Sequence, residues 1–317
     1  MLPDHPRHTH TVVIGAGTMG ADVAIVLARG GCRVTVVDPH TDKRDRLVAH
    51  VRAGLEPLGL AARAGKVQAV ATLQDVAWSD VMLVIECIPE KLAAKQALFA
   101  QLVQFAPAHA LLTSNSSSFP ISAIAQGLQT QERMLGLHFF MPAHLVPLVE
   151  VVLGPQTDGT QARQLCSYMR GCGSVPVLVR KDKPGFLANR LQHALAREAF
   201  AMIDEGIATP EDVDAAVRFG FGFRYLAAGP VLQRDHAGLD VHCAAAATMY
   251  PSLSSTAEPA RVLQGHVNAG RLGMKTGAGF YDWPEERRQA ERLRYDRLLQ
   301  QGLALLADEL PPLDRTL

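Results

Sequence analysis

A glycine-rich turn constrains this chain more than any other feature of its sequence. Residues 15–20 read Gly-Ala-Gly-Thr-Met-Gly, directly after an apolar run that ends at Ile14 and directly before a helical pattern. Gly15 permits a tight turn, Gly17 lets the backbone approach a pyrophosphate, and Gly20 lets the helix pack closely on the strand. The free N–H groups of the helix then face the phosphates. The turn predicts a dinucleotide-binding unit with cofactor contacts at Gly15, Gly17, Thr18, Met19 and Gly20.

An acidic residue follows the second predicted strand and indicates which dinucleotide binds. The apolar run 33–37 ends at Asp38, eighteen residues after Gly20, and no arginine follows it immediately. A carboxylate at this place accepts hydrogen bonds from the ribose hydroxyls and repels the 2′-phosphate of NADP. NAD is therefore the predicted cofactor. The alternative is a glycine turn with an unrelated aspartate at the strand end.

Short apolar runs alternate with helical patterns from residue 11 to about residue 181, which is typical of a parallel sheet with crossover helices. The runs lie at residues 11–14, 33–37, 81–85, 110–113, 135–138, 149–152 and 175–179. We predict an α/β fold in which a doubly wound, Rossmann-like, mostly parallel sheet domain at 1–181 is followed by an all-helical domain at 182–317. The helical stretch 42–66 is longer than one crossover needs, and it predicts a hairpin that projects from the sheet.

Composition favours a protein that acts on small molecules. The 317 residues are 48% hydrophobic and carry 31 basic and 31 acidic side chains, so no broad field attracts nucleic acid or an anionic membrane. The five cysteines lack the spacing of a zinc site or a disulfide framework, which predicts a reducing, cytoplasmic compartment and no metal. The first ten residues lack the apolar run of a signal or membrane span, and we expect a short disordered arm.

A histidine and a glutamate lie in neighbouring strand patterns. His138 ends one run, and Glu150 lies inside the next, twelve residues later. A carboxylate beside an imidazole would fix its tautomer and raise its basicity, so that it could take a hydroxyl proton while hydride leaves to a nicotinamide. Spacing alone leaves open that His138 is an ordinary core histidine.

Several segments, in order along the chain, resemble the 3-hydroxyacyl-CoA dehydrogenase family. They span residues 11 to 282 and lie at 15–20, 86–90, 114–118, 138–142, 148–152, 184–190 and 275–281. The resemblance implies an NAD-dependent oxidoreductase that converts the 3-hydroxyl of a 3-hydroxy acid or 3-hydroxyacyl thioester to a ketone. It also implies a homodimer paired through the helical domain, although a monomer with an internal helical core stays open.

The resemblance implies roles for individual residues. His138 would be the general base and Glu150 its orienting partner, while Ser117 would bind substrate and border the nicotinamide. Asn189 would donate a hydrogen bond to the developing ketone oxygen, which favours the charged state. The alternative for Asn189 is an ordinary residue at a helix start. His144 matches no catalytic position of the family and is predicted to line the pocket wall.

Further residues match family positions near the cofactor. Glu90, Lys95 and Lys275 do so, although each taken alone could be a surface charge. Met141 stands beside the expected nicotinamide, where the acyl-CoA enzymes usually carry asparagine. Losing that amide removes a hydrogen-bonding group but leaves the proton chemistry to the histidine and glutamate.

Arg224 bears on the substrate. A guanidinium can clamp a free carboxylate through two hydrogen bonds, whereas a thioester carbonyl has no charge to match it. An arginine followed by an aromatic residue here resembles the gulonate 3-dehydrogenase, lambda-crystallin and carnitine dehydrogenase branch, whereas residues 139–140 and 275–281 resemble the acyl-CoA branch. We predict a free short 3-hydroxy carboxylate. The alternatives are an (S)-3-hydroxyacyl-CoA dehydrogenase of fatty-acid β-oxidation, a non-catalytic crystallin-like NAD-binding protein and, for Arg224, a surface or interface role.

Overall fold

The chain folds into two compact units. The computed structural model describes residues 2–3 and 5–315. The first unit is built from residues up to Arg190 together with the segment from Ala307 onward, and the second is Leu191–Leu306. The division at Arg190 lies close to the predicted domain boundary at residue 182, which stays a prediction.

The first unit contains a sheet of eight strands in the described part of the chain. They are β1 (His10–Ile14), β2 (Arg33–Val37), β3 (Val67–Val70), β4 (Val81–Glu86), β5 (Leu111–Ser114), β6 (Met134–Phe139), β7 (Leu148–Leu153) and β8 (Val175–Val179). Their order is β3-β2-β1-β4-β5-β6-β7-β8, and every pair of neighbours is parallel except β6 and β7. This doubly wound order confirms the predicted fold class. The short edge strand β3 was not among the predicted strands.

Both faces of the sheet are covered. In β1, Val13 packs into one apolar cluster, whereas Val12 and Ile14 pack into another. Alternation between two buried faces explains why the strand sequences lack alternating polar residues. The helices of this unit are α1 (Thr18–Arg29), α2 (Thr41–Leu55), α3 (Leu92–Phe105), α4 (Ile121–Ile124) and α5 (Gly159–Gly171).

The predicted projecting hairpin at residues 42–66 is wrong. α2 ends at Leu55, and two 3₁₀ turns at Glu56–Leu58 and Ala61–Lys66 lead into β3. Leu47 and Val51 of α2 are buried, and the helix packs against α1. α2 packs against α1 and against the 3₁₀ turn at Ala61–Lys66, so its apolar stripe needs no second α-helix of its own.

The predicted disordered arm is also wrong for the residues that the structure describes, and Met1 and Asp4 lie outside them. Leu2 and Thr9 are buried. The backbone N–H of His8 donates to the carbonyl of Gly31 at 3.1 Å, and the Thr9 hydroxyl donates to the carbonyl of Pro6. The first bond holds the segment against the end of α1, and the second stabilises a turn within the segment.

The rest of the chain is mainly helical, as predicted. Its helices are α6 (Ala188–Asp204), α7 (Pro210–Ala215), α8 (Gly222–Arg224), α9 (Pro230–Ala237), α10 (Leu239–Met249), α11 (Arg261–Asn268) and α12 (Glu285–Leu305), with a π-helical segment at Ala216–Phe221. Thr209 caps α7, ahead of Pro210 in its first turn. Within the described residues, no helix is both long enough and apolar enough to cross a bilayer.

Candidate active site

The glycine turn between β1 and α1 has the shape of a dinucleotide cradle. Gly15 adopts a φ of +102°, which favours glycine, and its N–H donates to the carbonyl of Val37 at 2.7 Å. A side chain at Gly20 would overlap the carbonyl of Gly15, so helix and strand approach each other closely here. A Cβ atom added at Gly17, the N-cap of α1, would have no neighbouring atom within 4 Å, so the backbone here is open to a ligand. Thr18 begins the helix, and this arrangement fits a bound pyrophosphate.

Asp38 lies at the carboxyl end of β2, beside this turn. It is 3% exposed, and its two oxygens accept hydrogen bonds from the backbone N–H groups of Ala16 at 2.8 Å and His40 at 2.9 Å. Burial opposes ionisation, but the His40 and Ala16 amides and nearby Lys43 outweigh it and lower the pKa of Asp38. Oδ2 also lies 3.4 Å from Lys43 Nζ, and Oδ1 can accept a second hydrogen bond, so an ionised Asp38 fits a ribose hydroxyl of NAD.

His138 and Glu150 stand opposite each other across the antiparallel pair β6 and β7. His138 Nδ1 lies 2.8 Å from Glu150 Oε2, and both side chains are buried. Burial alone would raise the pKa of Glu150, but the bonds from His138 and from the Ala188 and Leu187 amides lower it. An ionised carboxylate only accepts hydrogen bonds, so Nδ1 carries the proton and Nε2 keeps its lone pair.

The second oxygen of Glu150 binds the start of α6. Oε1 accepts hydrogen bonds from the N–H groups of Leu187 at 3.0 Å and Ala188 at 2.9 Å. A carboxylate at a helix N-terminus is favoured because it pairs with free N–H groups and with the helix dipole. Asn189 follows directly in the first turn and is half-buried. One carboxylate therefore fixes both the imidazole and the backbone that leads into Asn189.

Aromatic rings enclose the imidazole. The ring centroid of His138 lies 4.5 Å from that of Phe140 and 5.5 Å from that of Phe186. Phe186 is buried with Val152 and Val179, although its φ of +47° is unusual for a residue with a side chain. Such strain persists only where packing enforces it, and here the packing keeps the surroundings of His138 apolar.

The loop after β5 carries Ser117, which is half-buried. Its neighbour Asn115 accepts a hydrogen bond from the backbone N–H of Phe139 at 2.8 Å through Oδ1. This contact fastens the serine loop to β6, one residue from His138. Asn115 was given no role in the sequence analysis, although it lies in the segment 114–118 on which the resemblance rests.

A buried ion-pair network supports the same loop. Lys95 is 1% exposed, and its Nζ lies 2.7 Å from Glu86 Oε1 and 3.1 Å from Glu90 Oε2. Glu86 also accepts a hydrogen bond from the Ser114 hydroxyl at 2.6 Å, and Glu90 accepts one from the Ser116 hydroxyl at 2.6 Å. Burial opposes ionisation of Glu90, but Ser116, Ser118 and Lys95 outweigh it and lower its pKa. Lys95 therefore joins β4 to the serine loop. Sequence reasoning gave Glu86 no role, because nothing in the local pattern marks a buried pair.

The remaining predicted site residues lie at exposed positions. Met141 is 65% exposed in the turn after β6. Lys275 and Arg224 are exposed and belong to the second unit, where Arg224 ends the short helix α8. Their roles stay predictions. Among the described residues, no group of three or more His, Cys, Asp or Glu side chains has the geometry of a metal site.

Comparisons with known proteins identify chains of similar sequence and fold. The chain is 33% identical to 5-formyl-3-hydroxy-2-methylpyridine 4-carboxylate 5-dehydrogenase of Mesorhizobium japonicum over 290 residues, covering 89% of this chain and 94% of that protein. It is 38% identical to 3-hydroxyadipyl-CoA dehydrogenase of Escherichia coli over 289 residues, covering 87% of this chain and 59% of that one. The crystal structure of a 5-formyl-3-hydroxy-2-methylpyridine 4-carboxylic acid 5-dehydrogenase, described as an NAD⁺-dependent dismutase, superposes with a TM-score of 0.88 at 30% identity over 94% of this chain and 98% of that one.

Two family models match consecutive parts of this chain. The NAD binding domain of 3-hydroxyacyl-CoA dehydrogenase matches residues 10–183, and the C-terminal domain of the same family matches residues 185–283. The first match confirms the predicted cofactor, NAD. The chain belongs to the 3-hydroxyacyl-CoA dehydrogenase family and is an NAD-dependent oxidoreductase.

Proposed function

We propose that this enzyme oxidises a hydroxyl group β to a carboxyl-type group, with His138 as the general base and Glu150 as the residue that orients it. The observation that carries the proposal is the buried 2.8 Å contact between His138 Nδ1 and Glu150 Oε2. When bound, NAD supplies the hydride acceptor. The protein then has to remove one proton from the substrate hydroxyl and stabilise the oxygen that becomes a ketone.

His138 is prepared for the proton transfer. Because Glu150 holds the Nδ1 proton, Nε2 can take the hydroxyl proton, and the imidazolium that forms lies beside an anion. A positioned base of this kind contributes a factor of ~10² to 10⁴ to the rate. The apolar rings of Phe140 and Phe186 limit the access of water to the pair.

Ser117 and Asn189 supply the polar contacts to the substrate in this proposal. The Ser117 hydroxyl lies in a loop held by Asn115 on one side and by the Lys95 network on the other. The Asn189 amide follows the backbone that Glu150 binds. An amide donor placed in advance lowers the barrier because it favours the oxygen as its charge develops.

The cofactor contacts in this proposal are the backbone of residues 15–20 and the carboxylate of Asp38. Lys95 is buried, and it acts indirectly by holding Glu90 and the serine loop beside the nicotinamide half of NAD. Met141 provides an apolar contact to the same half. Lys275 is a further proposed contact to the cofactor.

The substrate that we propose is a free short 3-hydroxy carboxylate. Arg224 supplies a guanidinium that can bind a carboxylate through two hydrogen bonds. The TM-score of 0.88 with an enzyme named for a pyridine carboxylate favours the same class. The second candidate is a coenzyme A thioester, and the 38% identity to 3-hydroxyadipyl-CoA dehydrogenase favours it.

The test follows NADH absorbance with two sets of substrates. Acetoacetyl-CoA represents the thioesters, and a panel of 3-hydroxy acids, carnitine, sugar acids and hydroxypyridine carboxylates represents the free acids. We expect turnover of at least one free acid, and a strongly raised KM for it in Arg224→Ala. Turnover of the thioester alone would overturn the substrate proposal.

The role of His138 is tested separately from the identity of the substrate. His138→Gln should reduce kcat by a factor of ~100 or more with whichever substrate turns over, while NADH binding remains. Undiminished turnover would remove His138 from the mechanism.

We also propose that the enzyme is a homodimer. The second unit exposes large apolar side chains on several helices and turns, including Phe219, Phe223, Val231, Leu239 and Tyr250, which are between 62% and 78% exposed. Exposed apolar side chains in this number favour an interaction surface, and a second copy of the chain is the cover that the family resemblance implies. Sedimentation equilibrium at micromolar concentration should give twice the chain mass, and Val231→Glu should lower it. A wild-type monomer would contradict this proposal.

A further inference from the structure

A buried carboxylate lies between two histidines in the first unit. Asp22 of α1 is 3% exposed, and its Oδ1 lies 2.9 Å from Nε2 of His50 in α2. Its Oδ2 lies 3.2 Å from His144 Nδ1 and accepts a hydrogen bond from the backbone N–H of Ala143 at 3.2 Å. Burial opposes ionisation, but His144 and His50 outweigh it and lower the pKa of Asp22 to about 2. The carboxylate is therefore charged at neutral pH.

The contacts to Ala143 and His144 fall in the connection between β6 and β7. This connection joins the strand of His138 to the strand of Glu150. It is a compact turn, in which the N–H groups of Leu145 and Val146 both donate to the carbonyl of Pro142, at 3.1 Å and 2.9 Å. A compact turn moves as one piece, so an anchor at its centre restrains the ends of both strands.

The anchor itself belongs to the cofactor helix. Asp22 lies two residues after Gly20, in α1, the helix that begins at the glycine turn. Arg29, later in the same helix, adds a second contact, because its Nη1 lies 3.4 Å from the carbonyl oxygen of His144. The turn between the two catalytic strands is thus bound twice to the helix that faces the pyrophosphate of NAD.

We infer that Asp22 is a positioning residue, which fastens the turn between the strands of His138 and Glu150 to the cofactor helix. The inference rests on the proposed roles of His138 and Glu150. A buried carboxylate is costly unless it is fully paired, and once paired it is rigid. Rigidity matters here because a displacement of ~1 Å between a base and the reacting atoms can reduce a rate by a factor of ~100.

The test compares three variants of the full chain by hydrogen exchange, NADH binding and steady-state kinetics. Asp22→Ala removes the anchor. Asp22→Asn keeps the shape and one acceptor oxygen, so it remains informative if the alanine variant does not fold. His50→Ala is the matched control, because it removes the side-chain contact from α2 to Asp22 and leaves the bond from Ala143 to Asp22.

We expect the loss of a charge-assisted hydrogen bond in Asp22→Ala to speed amide exchange in residues 140–146 about tenfold. We expect kcat to fall by a factor of ~10 to 100 with an unchanged Kd for NADH. Asp22→Asn should show both effects at about half the size on a logarithmic scale, since neutral hydrogen bonds are roughly half as strong. His50→Ala should match the wild type in both measurements.

Each contrary result overturns a defined part of the inference. Wild-type exchange at residues 140–146 in both Asp22 variants would show that the turn is not anchored there. Faster exchange with unchanged kcat would show that the anchor does not position the base. Equal effects in His50→Ala would assign the result to helix packing. The exchange measurement needs no substrate, so it stands even if His138→Gln shows that the proposed base is wrong.

Discussion

Replacing Glu150 with glutamine isolates the charge of the carboxylate from its shape. Glu150 accepts three hydrogen bonds, from His138 Nδ1 and from the N–H groups of Leu187 and Ala188. A glutamine has one carbonyl oxygen and one NH₂ group. If its oxygen faces the two backbone amides, its NH₂ faces His138, and the histidine must accept on Nδ1 and carry its proton on Nε2. If the amide is flipped, two buried N–H donors face an NH₂ group.

Either orientation in Glu150→Gln is costly, and the two costs appear in different assays. The first leaves the wrong tautomer of His138, which removes the general base and lowers kcat by a factor of ~10² to 10⁴. That factor corresponds to about 3 to 5 kcal/mol of activation free energy. The second leaves unsatisfied donors at the start of α6 and lowers the free energy of unfolding by about 1 to 3 kcal/mol for each.

The dependence of stability on pH gives an independent signature. The folded state lowers the pKa of Glu150, so its contribution to stability is present above the pKa of the unfolded chain. That contribution is lost as the pH falls through the lower, folded pKa. A glutamine does not titrate, so the stability of the variant should lose this part of its acid dependence and should differ most from the wild type near neutral pH.

The assays are kcat from NADH absorbance, Kd for NADH from fluorescence, and urea unfolding at pH 7 and pH 4. Glu56→Gln is the matched control, because Glu56 is an exposed residue at the end of α2. We expect wild-type values for the control, and an unchanged Kd for NADH in both variants. A kcat within a factor of ~2 of the wild type in Glu150→Gln, together with an unchanged free energy of unfolding at pH 7, would match neither orientation and would refute the tautomer argument.

Three further substitutions test other parts of the structure. Gly20→Ala should prevent the close approach of α1 to the carbonyl of Gly15, and we expect a lower Tm and NAD binding weakened by a factor of ~10 or more. Asp38→Asn should raise the Kd for NAD about tenfold and reduce the ratio of the Kd for NADP to the Kd for NAD, because the carboxylate charge is lost. An unchanged ratio in binding titrations with the two dinucleotides would contradict this. Lys95→Met should leave the fully buried Glu86 without its cation, and we expect the unfolding free energy in urea titrations to fall by about 3 to 5 kcal/mol. A loss below ~1 kcal/mol, as for an ion pair on the surface, would show that the pair is not needed for stability.

The sequence predicted the elements whose evidence is local. β1, β2 and β8 are apolar runs bounded by turn or helix signals, and the glycine turn carries its own geometric requirement. β3 was not predicted because it is a short edge strand. Only Val67 of its four residues is buried, so its sequence does not form an apolar run. The surroundings of α2 were wrongly predicted for a different reason. Its apolar stripe is real, but it packs against α1 and the 3₁₀ turn at Ala61–Lys66, and a single-sequence pattern does not identify the partner of an apolar face.

Some contacts of the candidate site were also predictable from the sequence, and others were not. His138 and Glu150 lie in adjacent strands, and antiparallel pairing brings them together, so their contact was predictable once both strands were recognised. The contact between Lys95 and Glu86 was not, because a charged residue in a helix is usually exposed and only the folded chain shows that the two are buried together. Asp22, His50 and His144 are separated by many residues, and no local pattern relates them.

The two oxygens of Glu150 also limit how the site could be altered. Oε2 sets the tautomer of His138, and Oε1 holds the backbone before Asn189. A glutamine at this position disturbs the base if its NH₂ group faces His138, and disturbs the backbone before the proposed amide donor if its NH₂ group faces Leu187 and Ala188. If the second orientation is adopted, Asn189→Ala should cost much less kcat in the Glu150→Gln background than in the wild type, because the amide is already displaced there. Additive losses in this double-mutant cycle would show that the base and the donor are held independently.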